Sequence, residues 1–321
     1  MIFFYCCLII SVITIGLNVY LLMGYKKIKQ LSKQPLISDQ PAVAIIISVR
    51  NEEDDLEKAL QSVCNMNYHN YRIIVVNDRS TDGTTKILES FKTRYPQLTV
   101  VTVTTLPDGW LGKNNALYQG YINSSEEWML FTDADIVFHP DSLSRAMSYS
   151  VVNRLDHLTI LPEAVSRSPV LNSVLATFSI MLMIHLKPWD AKKPKSKAFA
   201  GIGAFNLVRR DAYEKMGTHA LIKIRPDDDL QLGQQMKFAG LRQDVLAGMV
   251  YQSAAIWQGD VKEFIFHRRV QIQQGNWRRY RCYHSYCFAH ACDVYFRVHR
   301  YPLNGGCGAV CTYFIHAAGA A

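Results

Sequence analysis

Between residues 43 and 131 short apolar runs alternate with amphipathic stretches, and no other feature restricts the fold as strongly. The runs "VAIIISV" (43–49), "YRIIVV" (71–76), "LTVVTV" (98–103) and "WMLF" (128–131) are rich in β-branched and aromatic residues. Short runs of this kind, bounded by polar punctuation, read as buried strands. Between them, residues 54–64 space Leu56, Leu60 and Val63 at helical intervals, and 84–91 and 114–121 also read as helices. Strand and helix in alternation predict an α/β fold, a mostly parallel sheet covered by helices on both faces. In such sheets ligands sit beyond the carboxyl ends of the strands. Four polar strings fall at those ends: "SVRNEED", "VNDRSTDGT", "PDGWLGKNNA" and "TDADIVFHP".

The last string carries an electrostatic problem. Asp133 and Asp135 follow a buried-looking strand one residue apart, and like charges that close raise each other's pKa unless something neutralises them. A hard divalent cation with oxygen ligands is the usual remedy. In "VVNDRSTDGT" Asp78 ends a strand, where a carboxylate can accept hydrogen bonds from a base N–H or a ribose hydroxyl. Ser80, Thr81, Asp82 and Gly83 equally suit a capped turn. In "GIGAF", Gly201 and Gly203 allow either close backbone approach to a ligand or a tight turn. "RPDDDLQLGQQMKFAGLR" places Asp227, Asp228 and Asp229 ahead of an amphipathic helix with Leu232, Met236 and Leu241 on one face. Three acids there complement a helix N-terminus, and one of them can serve as a general base.

The ends of the chain bear on location. Ile2 to Met23 contains no charged residue, about the length that crosses a hydrocarbon core. Lys26, Lys27, Lys29 and Lys33 follow, so residues 1–25 read as a cell-membrane anchor and 26–40 as a basic linker, with the domain that follows on the cytoplasmic side. A cleaved signal peptide would show a basic start, a shorter apolar core and a small-residue cleavage site. Residues 169–186 are apolar but interrupted by Asn172, Ser173, Thr177, Ser179 and His185, which suits a helix lying at a membrane surface. "KPWDAKKPKSK" (187–197) follows. The net charge of +8 therefore points to a membrane and not to nucleic acid, because the lysines cluster beside these apolar segments. Of the eight cysteines, Cys282, Cys287 and Cys292 lie near His284 and His290 at spacings that match no standard zinc module. A cytoplasmic domain also argues against structural disulfides.

Taken together, "ISVRNEEDDLEKALQSV", "VVNDRSTDGT" and "FTDADIVFHPDSL" resemble the inverting family 2 glycosyltransferases, which have the GT-A (Rossmann-like) fold. "LPDGWLGKNNALYQG" and "GIGAFNLVRRDAYEKMG" are similar to bacterial membrane-associated members, including hopanoid-associated and carotenoid glycosyltransferases, and more distantly to ceramide glucosyltransferase. The resemblance covers about residues 40–255. It implies a nucleotide-sugar-binding half (41–150) and an acceptor-binding half (151–259), with 260–321 a divergent or truncated tail. It implies that Asn51, Glu52, Asp78, Lys113 and Asp133 meet a nucleotide sugar, UDP-linked by expectation. Asp135, with Asp133 beside it, would hold Mg²⁺ or Mn²⁺, and Gly201 and Gly203 would lie on the acceptor side. It places the base at Asp229 with Asp228 as partner, while an alternative register chooses Asp227. The implied acceptor is a lipid hydroxyl. In the tail, "QQGNWRRY" (273–280) does not reproduce the Gln-x-x-Arg-Trp motif of processive relatives. Two rivals remain on sequence grounds: a related-fold nucleotidyltransferase, whose glycine-rich basic loop "SVRNEED" lacks, and a GT-A membrane protein that has lost turnover.

Overall fold

The computed structural model of the chain describes residues 2–164 and 169–252. A 24-residue helix, α1 (Ile2–Tyr25), precedes a two-residue strand, β1 (Lys29–Gln30). The alternation read from the sequence then appears as β2 (Val43–Val49), α2 (Leu56–Cys64), β3 (Tyr71–Asp78), α3 (Thr84–Arg94), β4 (Leu98–Val103), α4 (Gly112–Ile122) and β5 (Trp128–Thr132). The second half adds β6 (Ile136–Phe138), α5 (Ser142–Val152), β7 (His157–Ala164), α6 (Pro169–Leu186) and β8 (Asn206–Arg209). It continues through the short helices α7 (Arg210–Lys215) and α8 (Thr218–Leu221) to α9 (Asp228–Phe238) and β9 (Gln243–Gln252). The readings made on residues 260–321, including Gln274, Trp277, Arg278 and the cysteine–histidine cluster, lie outside the described residues.

Among the described residues the strands form one mixed sheet in the order β1-β9-β7-β8-β5-β2-β3-β4, with β6 paired to β9. The pairs among β4, β3, β2 and β5 are parallel, and so are β7–β9 and β9–β1. β8 runs antiparallel between β5 and β7. The central strands bury both faces, which is why their sequences are continuous apolar runs. Ile45, Ile47, Ile73 and Val75 pack with Leu56, Leu60, Leu88 and Phe91 on one side. Ala44, Ile46, Ile74 and Val76 face Ala116, Leu117, Leu232 and Met236 on the other. The side-chain period of two in a strand produces that division.

Register delivers the polar strings to one edge. Val49 pairs with Asn77, and Ile47 with Thr132, so the chain leaves β2, β3 and β5 side by side. The reversed strand brings in the fourth component. Phe131 pairs with Asn206 at the start of β8, which sets the glycine-rich turn 201–205 beside Asp133.

The foot of α1 is packed onto the domain. Trp189 meets Tyr20 edge-on at 5.6 Å and clusters with Ile28, Ala191, Ala200, Val245 and Ala247. Gly24 is required there, because a Cβ would come within 2.6 Å of the Trp189 ring. The remainder of α1 presents exposed apolar side chains along its length, and it is long and apolar enough to cross a membrane. Residues 26–40, read as a linker, are stitched to the sheet edge. Lys29 and Gln30 pair with Leu246 and Ala247 of β9, and Leu31 is 0% exposed. Arg145 donates to the Ser32 carbonyl at 3.2 Å and also to that of Gln34, and Ile37 N donates to Ser144 Oγ at 3.2 Å. Leu31→Ala should therefore lower unfolding stability by about 2–5 kcal/mol in a denaturant titration of the detergent-solubilised chain. A loosely attached linker would show almost no change.

Candidate active site

Two strand-to-helix loops interlock at the carboxyl edge. Thr81 N donates to Asn51 Oδ1 at 2.8 Å and Asn51 N donates to Ser80 Oγ at 3.1 Å. Glu52 N donates to Thr84 Oγ1 at 2.9 Å, and Glu53 Oε2 accepts from Gly83 N at 2.5 Å. Asn51 and Arg79 adopt left-handed backbone, with φ of 56° and 59°. Asparagine tolerates that region through local hydrogen bonding, while arginine there is uncommon. Asp78 is only 2% exposed, and its two carboxylate oxygens accept from Arg79 Nε at 2.8 Å and Nη2 at 2.9 Å. The start of α4 closes over this pair. A Cβ on Gly112 would lie 2.4 Å from Asp78 Oδ2, so only glycine admits the approach.

The next residue, Lys113, reaches into the centre of the site. Its Nζ lies 2.7 Å from Asp133 Oδ1 and 3.5 Å from Asp228 Oδ1. Backbone contacts tighten the same cluster. Asp133 N donates to the Gly203 carbonyl at 3.0 Å, and Gly203 N donates to Asp229 Oδ2 at 2.8 Å. Leu230 N donates to Asp229 Oδ1 at 2.8 Å. A Cβ on Gly203 would sit 2.4 Å from Asp133 Oδ2, and one on Gly201 would sit 1.9 Å from the Asp229 carbonyl oxygen. Lys113, Asp133, Gly203, Asp228 and Asp229 thus line one cavity with Phe131, Asn206 and His219. Asp227 is engaged elsewhere, paired with Arg225 at 3.0 Å and accepting from Gln231 Nε2 at 2.9 Å.

The charges explain one another. Asp228 is 5% exposed, and burial raises its pKa to about 7 against the pull of Lys113. Burial raises Asp229 as well. For Lys113 burial favours the neutral form, but Asp133, Asp228 and Asp229 together outweigh it and hold the ammonium above its usual value. Glu52 is pushed up to about 7, chiefly by burial and then by the charges of Asp135 and Asp133. Three acids from two loops therefore feel one another at this edge. Among the described residues no group of three or more His, Cys, Asp or Glu side chains is arranged to hold a metal ion by itself. Two carboxylates sharing a hard cation with the phosphates of a ligand is how Mg²⁺ is commonly held, and Asp133 and Asp135 suit that arrangement.

Three side chains at the site were not singled out from the sequence. Arg79 adjoins Asp78 directly, and its position in the quoted loop was the available signal. Asn206 Oδ1 accepts from Ile202 N at 3.3 Å and from His157 Nε2 at 3.1 Å, fixing the 201–205 turn to β7. His219 is fully enclosed, meets Tyr213 Oη through Nδ1 at 2.5 Å, and is held neutral by burial and by Lys113, its pKa lowered to about 3. Lone histidines carry no sequence pattern that separates such a role from ordinary packing.

The family model described as Glycosyl transferase family 2 matches residues 44–217, more than half of the chain. The chain belongs to this family. A 4,4'-diaponeurosporenoate glycosyltransferase of Staphylococcus aureus (strain USA300) is 25% identical over 232 residues, 71% of this chain and 60% of that protein. The chain thus spans about 60% of the length of the curated relatives it matches. A mannosyltransferase from Pyrobaculum calidifontis, solved in complex with GDP-Man and Mn2+, has the same GT-A fold, with a TM-score of 0.51 at 18% identity. That alignment covers 73% of this chain and 64% of the mannosyltransferase.

Glu52 gives this family 2 chain a pH signature. Its folded-state pKa, about 7, lies above the ordinary 4.5, so between those values the folded chain holds a proton that the unfolded chain has released. The stability from that proton is complete below pH 4.5 and lost as pH rises through 7. In metal-free buffer, Glu52→Gln should match the parent's melting temperature below pH 4.5 and exceed it above pH 7. An equal difference at every pH would contradict this.

Proposed function

We propose that the chain is an inverting, membrane-anchored glycosyltransferase that moves a hexose from a nucleoside-diphosphate sugar to a lipid hydroxyl. The observation that carries this reading is the junction at Lys113. One ammonium joins the acid after β5 to the acid pair opening α9, around a single cavity. A nucleotide-sugar donor needs positive charge for its diphosphate, and an acceptor needs a base on the far side of the sugar. Both needs are met within this cluster.

In the proposed reaction Lys113 faces the diphosphate, and the Asp78–Arg79 pair faces the nucleobase. Asp133 and Asp135 hold Mg²⁺ or Mn²⁺, which when bound supplies Lewis-acid stabilisation of the departing diphosphate. Gly201 and Gly203 let backbone approach the sugar without a Cβ in the way. The acceptor hydroxyl gives its proton to a carboxylate oxygen of Asp229. The acceptor oxygen forms the new bond to the anomeric carbon as the bond to the diphosphate oxygen breaks. The electron pair leaves with the nucleoside diphosphate, and the configuration inverts. Asp229 suits the role because burial raises its proton affinity above that of an ordinary carboxylate, while backbone N–H groups fix both oxygens. Asp228, deeply buried and beside Lys113, sets the local charge.

The membrane side supports a lipid acceptor. α1 spans the bilayer with the catalytic domain on the cytoplasmic face, and α6 lies at the interface through exposed Phe178, Ile180, Met181 and Ile184. The basic loop 187–197 follows α6 and is tied to α9 by Lys237, whose Nζ donates to the carbonyls of Ala191 and Lys193 at 2.6 and 2.7 Å. The relative named for 4,4'-diaponeurosporenoate supports an apolar acceptor, and the mannosyltransferase neighbour supports a divalent ion and a nucleotide-sugar donor. Residues 41–150 would bind the donor and 151–259 the acceptor.

The test is a transfer assay in lipid with UDP-, GDP- and dTDP-sugars, each with and without Mn²⁺, and product configuration read by NMR. Asp229→Asn should lower kcat by about 10²–10⁴-fold with donor KM nearly unchanged. Asp135→Ala should abolish metal-dependent donor use. Donor binding without transfer to any lipid extract would favour a GT-A protein that has lost turnover. A product retaining the donor's configuration would exclude the inverting route.

A further inference from the structure

The foot of α1 carries a second concave feature, which shares no lining residue with the cavity around Lys113. A cavity of about 580 Å³ is lined by Tyr25, Lys26, Lys29, Gln30, Lys33 and Gln34 among others. That volume is within the range of roughly 300–1,000 Å³ typical of ligand pockets. No acidic residue lines it. Among the described residues none of its three lysines enters an ion pair, whereas Lys113 and Lys193 each face a carboxylate. We infer that this cleft binds the phosphate of an anionic lipid headgroup.

The inference rests on the reading of α1 as a membrane span, and the geometry takes it further. A juxtamembrane run of lysines ordinarily acts as a diffuse, mobile charge. Here Lys29 lies in the sheet itself, Lys33 ends the single helical turn that follows it, and Lys26 sits in the turn after α1. Lys29 and Gln30 are hydrogen-bonded along β9, the next side chain, Leu31, is buried in the core, and Gln34 Nε2 donates back to the Gln30 carbonyl at 3.0 Å. Lys29 is further steadied over the Tyr149 ring, 5.1 Å from its centroid. Three ammonium groups on a fixed frame suit a phosphate, for which lysine serves as a point charge. The lipid source follows from position. Tyr25 is both the last residue of the exposed apolar helix and part of the cleft wall, so the cleft opens where headgroups begin.

The experiment uses the full chain in bilayer discs of neutral lipid, with and without phosphatidylglycerol, reading amide hydrogen exchange at residues 29–34. Phosphatidylglycerol should slow exchange there. The combined substitution Lys26→Gln, Lys29→Gln and Lys33→Gln should remove the effect, lowering the preference for anionic lipid roughly fivefold per lysine. A charge-matched control, Lys192→Gln, Lys195→Gln and Lys197→Gln in the loop after α6, should retain the protection. Equal loss in the control, or no lipid-dependent protection in the parent, overturns the inference. Equal protection by inorganic phosphate in neutral discs would also overturn it, since the cleft would then be a free-phosphate site. Failure of the parent to enter discs would refute the membrane span itself, an outcome distinct from entry without headgroup protection.

Discussion

The ammonium group of Lys113 is what allows carboxylates from distant parts of the chain to share one half-buried space. Asp133 follows β5 and Asp228 opens α9, nearly a hundred positions later in the chain, yet both lie within 3.5 Å of the same nitrogen. Away from water, uncompensated acids at this spacing would be strongly unfavourable, and burial already drives Asp228 and Asp229 toward the protonated state. Glycines do the complementary steric work. Gly112, Gly201 and Gly203 each stand where a Cβ would collide with a carboxylate or carbonyl oxygen of the cluster. The local geometry is therefore fixed by charge balance from one side and close backbone approach from the other.

The sheet explains how the parts arrive. Its parallel portion lines up the exits of β2, β3 and β5, and the antiparallel β8 returns the chain so that the 201–205 turn faces Asp133. The same sheet continues through β7 and β9 to β1, directly after α1. The long apolar helix and the candidate site are thus joined through one hydrogen-bonded framework. A lipid acceptor held at the interface would meet a site whose position relative to α1 is set by strands.

Much of this was legible in the residues. The seven elements between β2 and β5 follow from apolar periodicity, because buried parallel strands leave uninterrupted β-branched runs. The helix at 169–186 was legible in the same way. Asp78, Asp133 and the acids 227–229 drew attention by their place at a strand end or helix start, while Lys113 and the choice of Asp229 with Asp228 came from the resemblance to family 2 glycosyltransferases. What escaped was contact made by tertiary structure alone. Arg79 covers Asp78 so completely that the two side chains form one unit, and Asn51 spends its carbonyl oxygen on the neighbouring loop. His219 and Asn206 reach the cavity from α8 and β8, neither of which has a strong periodic pattern. The docking of residues 26–40 depends on Leu31, one apolar residue among lysines, which composition alone reads as a linker.

Lys113 and the acids around it are proposed to form a diphosphate site completed by a divalent ion. Calorimetric titration of UDP and GDP into the full chain in bilayer discs, with and without Mn²⁺, addresses it most directly. Binding should require the metal and weaken roughly ten- to a hundredfold in Lys113→Met, the loss of one charge-assisted contact. Binding indifferent to both the metal and Lys113 would contradict it, and the carboxylate cluster would then be a structural ion network.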